Sequence, residues 1–173
     1  MKKVGEKFQD FVLKDQDNNH FKTSDLRGKK ILLSFHPLAF TPVCANQMKD
    51  LEENMKTFKE LNTVPLGMSV DQPFAKKAWA KEIGIEEVRL LADFWPHGGV
   101  AKSLDLFREK EGFSERANII VDENGKIIFA KLYNMSELPE IREIIEFLQS
   151  GVASQTSFRG PGFFFHNASN PCF

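Results

Sequence analysis

An α/β domain with a mixed central sheet flanked by helices, extended by an N-terminal β-hairpin, is what this 173-residue sequence predicts. Three observations carry that expectation. The run Ile31-Leu32-Leu33-Ser34-Phe35 is apolar almost without a break, as a strand covered on both faces must be. Stretches following Thr41 and Pro73 space their apolar residues by three or four, the period of an amphipathic helix. Late in the chain, Ile119-Ile120-Val121 and Ile127-Ile128-Phe129 flank Asp-Glu-Asn-Gly, a hairpin signature.

The elements follow in order. "FVLKD" and "HFKTSDL" surround the turn-former cluster "QDNN", which makes the first hairpin. After the buried strand, Met48, Leu51, Met55, Phe58 and Leu61 mark one face of a helix that Thr41-Pro42 begins. "TVPLGMSV" reads as the next strand, ending at Asp71, and a second helix after Pro73 is expected to bury Phe74, Ala78, Trp79 and Ile83. "VRLLADF" is a short strand, and "WPHGG" turns into a modest helix over 100–107. After the late hairpin, Ser136 is expected to cap a final helix with the stripe Leu138, Ile141, Ile144/Ile145 and Leu148. An early βαβ order, a late antiparallel hairpin and a closing helix give a thioredoxin-like outline. We assign one domain to residues 1–149. Residues 150–173 form a charge-poor tail in which Arg159 is the one charged residue and Phe163-Phe164-Phe165 stand together.

Lysines plus arginines number 23 and aspartates plus glutamates 24, so no global field attracts nucleic acid or an anionic membrane. No apolar run approaches the ~20 residues of a membrane span. The start "MKKVGEKFQDF" lacks an apolar signal core, and a cytoplasmic setting is expected. Two cysteines without a CxxC make neither a disulfide framework nor a cysteine zinc site. His20, His36, His97 and His166 are scattered without ligand spacing, so no metal site is expected.

Chemistry concentrates in "PLAFTPVC", residues 37–44. A thiolate is the nucleophilic form of cysteine, and an unperturbed thiol with a pKa of about 8.5 is only ~3% ionised at pH 7. With Thr41 as N-cap and Pro42 in the first helical position, Cys44 falls in the first turn. There unpaired amides and the positive helix end favour negative charge. The Thr41 hydroxyl can cap that turn or point toward the sulfur. Pro37 and Pro42 stiffen the loop. A free cysteine can equally be a small buried hydrophobe, and the local residues leave both readings open.

"PLAFTPVC" matches the P-x-x-x-T-x-x-C signature of the peroxiredoxins, thiol peroxidases on an extended thioredoxin fold. "FVLKDQDNNHFKTSDLRGKKILLSF", "SVDQPFAKKAWAKEIGI", "LLADFWPHGGVAKSLDLF" and "ERANIIVDENGKIIFA" resemble further segments of that family, over roughly residues 3–149. "DFWPHG" is similar to the alkyl hydroperoxide reductase E branch, often described as one-cysteine. The resemblance implies reduction of hydrogen peroxide and organic hydroperoxides in antioxidant defence, without a cofactor. It places Cys44 as peroxidatic cysteine, Thr41 as peroxide-binding hydroxyl, Pro37 as the shield against water and Arg116 as the cation for thiolate and substrate. Gln47 stands where many relatives have glutamate, so a looser Arg116 is expected. His36 is expected to be a pocket wall or core residue and not a base. His97 is expected to be structural with a contact near the pocket, and Trp95 to pack, at a subunit interface if not in the core.

Recycling of oxidised Cys44 is less legible. Lys49 stands where some relatives have a resolving cysteine, and Asn-Pro-Cys-Phe around Cys172 departs from the Val-Cys-Pro of two-cysteine tails. The expected cycle uses an external thiol or a thioredoxin- or glutaredoxin-like protein, with Cys172 as the alternative resolver. The resemblance also implies a homodimer. A peroxide-driven sensor or chaperone-like protein, using the same cysteine and the apolar tail, is the alternative function.

Overall fold

The structure, a computed structural model, describes residues 1–156. β1 (Val12–Lys14) and β2 (His20–Lys22) form the N-terminal hairpin. β3 (Lys30–Phe35), α1 (Pro42–Glu53), α2 (Met55–Glu60), β4 (Thr63–Ser69), α3 (Pro73–Ile83), β5 (Arg89–Ala92) and α4 (Gly99–Ser103) follow. A small ribbon of β6 (Phe107–Arg108) and β7 (Phe113–Ser114) precedes the hairpin β8 (Arg116–Val121)–β9 (Ile127–Tyr133), and α5 (Ile141–Thr156) comes last. The main sheet has the order β2-β1-β5-β4-β3-β8-β9. β3, β4 and β5 run parallel, while β8–β9 and β1–β2 join antiparallel on the two sides. This is the mixed, helix-flanked sheet that the sequence predicts.

Period-two alternation splits the strands between two cores. Ile31, Leu33 and Phe35 share one face with Ala117, Ile119, Val121 and residues of α4. Leu32, Leu90 and Ile120 face the other way, against Met48, Leu51, Phe58, Trp79, Ile144 and Leu148. Each such large side chain contributes about 1.5–3 kcal/mol on burial, against ~0–1 for a surface ion pair. Packing therefore decides where α1 sits. Gly67, opposite Ser34 in the β3–β4 register, makes the close approach possible: a Cβ there would lie 2.5 Å from Met48 Sδ.

Several expectations need correction. The helix read through Leu61 breaks at Asn54, whose side chain donates to the Asp50 carbonyl. In α3 the buried face is Pro73, Lys76, Trp79 and Ala80, while Phe74 and Ala78 are exposed. Trp79 is the largest side chain on that helix, and turning it inward brings the residue three positions earlier, Lys76, inward too. Ser136 caps no helix. α5 begins at Ile141 and leaves Leu138 exposed. The helix expected over 100–107 is the shorter α4, and the β6–β7 ribbon replaces its end. α5 continues to Thr156, past the change of composition at Gln149. Cys172 and Phe163–Phe165 lie outside the described residues.

Candidate active site

The site forms where β3 ends. The His36 amide still donates to the Met68 carbonyl, and the chain then leaves the sheet through the loop 37–41 into α1. Thr41 has extended N-cap geometry and Pro42 opens the helix, so Cys44 lies in the first turn as its sequence requires. The Thr41 hydroxyl, however, neither caps the helix nor reaches the sulfur. It donates to the Leu38 carbonyl at 3.0 Å and cross-braces the loop. Among the described residues, the Val43 and Cys44 amides consequently donate to no protein acceptor and remain available to a ligand oxygen. Phe40 adopts φ 60° in the same loop, a conformation that a bulky residue holds only when its surroundings enforce it.

Arg116, the first residue of β8, brings its guanidinium under this turn. Nη2 lies 3.4 Å from Cys44 Sγ and also donates to the Met135 carbonyl at 2.9 Å. Nε reaches the same carbonyl at 3.2 Å, and Nη1 donates to Gln47 Oε1 at 2.5 Å. The residue is 2% exposed, and among the described residues it pairs with no carboxylate. A buried cation supplied with neutral acceptors alone lacks a counter-charge. The atom placed to provide one is the sulfur.

Gln47 does not loosen the arginine. Its Nε2 donates to Ser34 Oγ at 2.8 Å and to the Phe35 carbonyl at 3.2 Å, which leaves Oε1 for Arg116. The partners fix which way the amide points, since the carbonyl can only accept and the guanidinium only donate. A glutamate could not donate to Phe35. Gln47 therefore retains orientation and gives Arg116 no carboxylate partner among the described residues.

Cys44 is fully buried and lies at the inner wall of a cleft of about 280 Å³, lined also by Pro37, Leu38, Thr41, Val43, Phe113 and Met135. Pro37 is thus on the wall, Arg116 at its polar end, and apolar groups dominate the rest. Met135 and Phe113 are absent from the sequence reading. The useful part of Met135 is a carbonyl, which any residue has, and Phe113 comes from the ribbon that periodicity missed.

His36 lies outside this wall. Its ring is fully buried, packs 5.1 Å from Trp79 and makes no side-chain hydrogen bond among the described residues. Burial, then the charges of Lys76 and Arg116, hold its pKa well below the ordinary 6.5. The unfolded chain therefore binds a proton that the folded one refuses, and stability is lost as pH falls below 6.5. Denaturant titrations are expected to show an added slope of about 1.4 kcal/mol per pH unit there. His36→Gln should remove that increment, and an unchanged slope would refute the assignment.

The remaining candidates lie elsewhere. His97 Nε2 is 2.6 Å from the Gly112 carbonyl and its ring stands edge-on to Phe107, so its expected contact with the pocket is not made. Trp95 is 80% exposed and is not packed in the core. With Phe74 and Phe94 it borders a second groove of about 450 Å³ along the N-terminal hairpin, with no cysteine among its described lining residues.

The model of the AhpC/TSA family matches residues 4–130. Alkyl hydroperoxide reductase E of Mycobacterium tuberculosis is 36% identical over 143 residues, covering 82% of this chain and 93% of that protein. The mitochondrial thioredoxin-dependent peroxide reductase of Drosophila melanogaster is 32% identical over 148 residues, 82% of this chain and 61% of its own length. Among solved structures, Enterococcus faecalis AhpC superposes with a TM-score of 0.82 at 26% identity, over 94% of this chain and all of that one.

Proposed function

Because the chain belongs to the AhpC/TSA family, we propose that it is a thiol-dependent peroxidase in which Cys44 reduces hydrogen peroxide and organic hydroperoxides. The observation that carries this reading is the buried Arg116 guanidinium, without a carboxylate partner among the described residues, 3.4 Å from Cys44 Sγ. The sulfur attacks one peroxide oxygen and the O–O bond breaks. Cys44 becomes a sulfenic acid, and the departing hydroxide or alkoxide takes a proton from water. Arg116 and the free Val43 and Cys44 amides face the charge as it moves from sulfur to oxygen, which is where preorganised donors lower a barrier. Pro37 and the apolar wall keep bulk water from the sulfur, and Thr41 supplies a hydroxyl at the rim.

For the return step, an external thiol attacks the sulfenic sulfur and releases water, and a second thiol then frees Cys44. A thioredoxin- or glutaredoxin-like reductant fits this role, in keeping with the name of the fly relative, in a reducing compartment such as the cytoplasm. A homodimer is part of the same reading, and the exposed Phe74, Phe94 and Trp95 offer an apolar face for it. Stopped-flow oxidation with stoichiometric peroxide, sulfenic-acid trapping and peptide mapping on a non-reducing gel tests the scheme. A trapped adduct on Cys44 supports it, and failure of peroxide to oxidise Cys44 would sink it. A Cys44–Cys172 link would replace the external thiol by an internal resolver.

A further inference from the structure

The peroxide chemistry above does not use the buried cation of α3. Lys76 is fully buried, which lysine almost never is without partners. Its Nζ donates to Ser69 Oγ at 2.6 Å, the Ser69 hydroxyl donates to Asp71 Oδ2 at 2.7 Å, and that same oxygen accepts the Ala39 amide at 2.9 Å. Three hydrogen bonds thus connect an interior charge to the loop before Cys44. Ala39 sits between Leu38, which takes the Thr41 hydroxyl, and Phe40, which is held left-handed. Asp71 is the side chain that grips this strained stretch by its backbone.

The direction of the relay depends on charge. An ammonium has no lone pair, so Ser69 Oγ must accept from it and turns its own hydrogen to Asp71. A neutral amine offers a lone pair to which the Ser69 hydroxyl can swing. Asp71 then loses both a donor and its facing cation. We propose that Lys76 is a positioning residue for peroxide reduction: as an ammonium it keeps Ser69 and Asp71 ordered to hold the Ala39 amide, and loss of its proton to solvent base loosens the loop and slows oxidation of Cys44. The inference rests on the peroxidase reading.

Burial brings Lys76 down from the ordinary 10.5 to about 8, against the opposing pull of Asp71, Asp93 and Cys44. Those groups, with His36, face it from the ends of β3, β4 and β5 and from α1. His36 is neutral across this range for the reasons given above. Asp93, raised by burial, accepts the Val100 and Ala101 amides at 2.9 Å and is engaged at the start of α4.

The test follows the full chain through pH by three readouts. In ¹⁵N-lysine spectra, Lys76 should titrate at about 8, and the Ala39 amide resonance should move with it. The rate of Cys44 oxidation by hydrogen peroxide should fall by about tenfold or more over the same range, since ~1 Å of misplacement can cost about 10²-fold. Lys76→Met should remove this alkaline limb and stay slow throughout. Asp71→Asn retains an oxygen for both donors but loses the negative charge that holds the proton on Lys76, so it should move the limb to lower pH. Stability supplies the third readout. Between about 8 and 10.5 the unfolded chain binds a proton that the folded one has lost, so stability rises with pH while the oxidation rate falls.

A flat rate across this range, a limb that Asp71→Asn leaves in place, or rate and stability falling together would overturn the proposal. An Ala39 resonance that ignores the titration of Lys76 would do the same. If peroxide fails to oxidise Cys44 at any pH, the peroxidase reading falls, while the Ala39 titration still decides whether the relay exists.

Discussion

Cys44→Ser is expected to abolish peroxide consumption and to leave the fold in place. Serine is smaller than cysteine, so it fits the fully buried position without displacing Met48 or the α1 turn. Its hydroxyl oxygen can still accept from Arg116, which keeps the cation partnered. What disappears is the chemistry: an alcohol is not ionised near pH 7, and its oxygen has no stable counterpart of the sulfenic acid. Peroxide consumption in the presence of a thiol should drop to the protein-free rate, while the circular-dichroism melting curve stays within a few degrees. Turnover retained by Cys44→Ser would show that another nucleophile does the work.

Arg116→Met is expected to be the next most damaging change. Methionine fills much of the same volume but removes the charge at 3.4 Å from the sulfur and every donor to Met135 and Gln47. Loss of a single preorganised donor to developing charge costs on the order of 10²–10³-fold in rate. The second-order constant for oxidation by hydrogen peroxide, measured by stopped flow, should fall by at least about 10²-fold. Stability also suffers, because Oε1 of the buried Gln47 is left without its donor at about 1–3 kcal/mol. Arg116→Lys should rescue little, since one ammonium cannot reach the sulfur, the amide and the carbonyl that the planar fork serves together. A variant oxidised at the parental rate would remove Arg116 from the mechanism.

Much of this is legible in the sequence. The unbroken apolarity of residues 31–35 is the pattern of a strand covered twice, and β3 is buried along its whole length. The Asp-Glu-Asn-Gly turn makes its hairpin, with Gly125 at φ 80° where a side chain would be strained. Periodicity failed where several faces compete. In α3 the pattern admits Phe74 as an inward residue, but the bulk of Trp79 sets the rotation and Lys76 goes in with it. Near Ser136 the capping signal is local, whereas the start of α5 depends on where Ile144 and Leu148 can meet the sheet.

The sequence by itself determined the class of fold and the place of Cys44 in the first turn of a helix. Both rest on short-range rules: alternation for strands, the Thr-Pro start for the helix, and a cysteine three residues after it. Only the tertiary structure decided what surrounds the sulfur. Arg116 reaches Cys44 because β8 pairs antiparallel with β3, bringing a strand start beside a strand end from far along the chain. The free amides at Val43 and Cys44 exist because the Thr41 hydroxyl turns back to Leu38, and the Ala39 anchor exists because β3 and β4 end side by side. Charge and hydrogen bonding act through space at a few ångströms, and spacing along the chain does not record that distance.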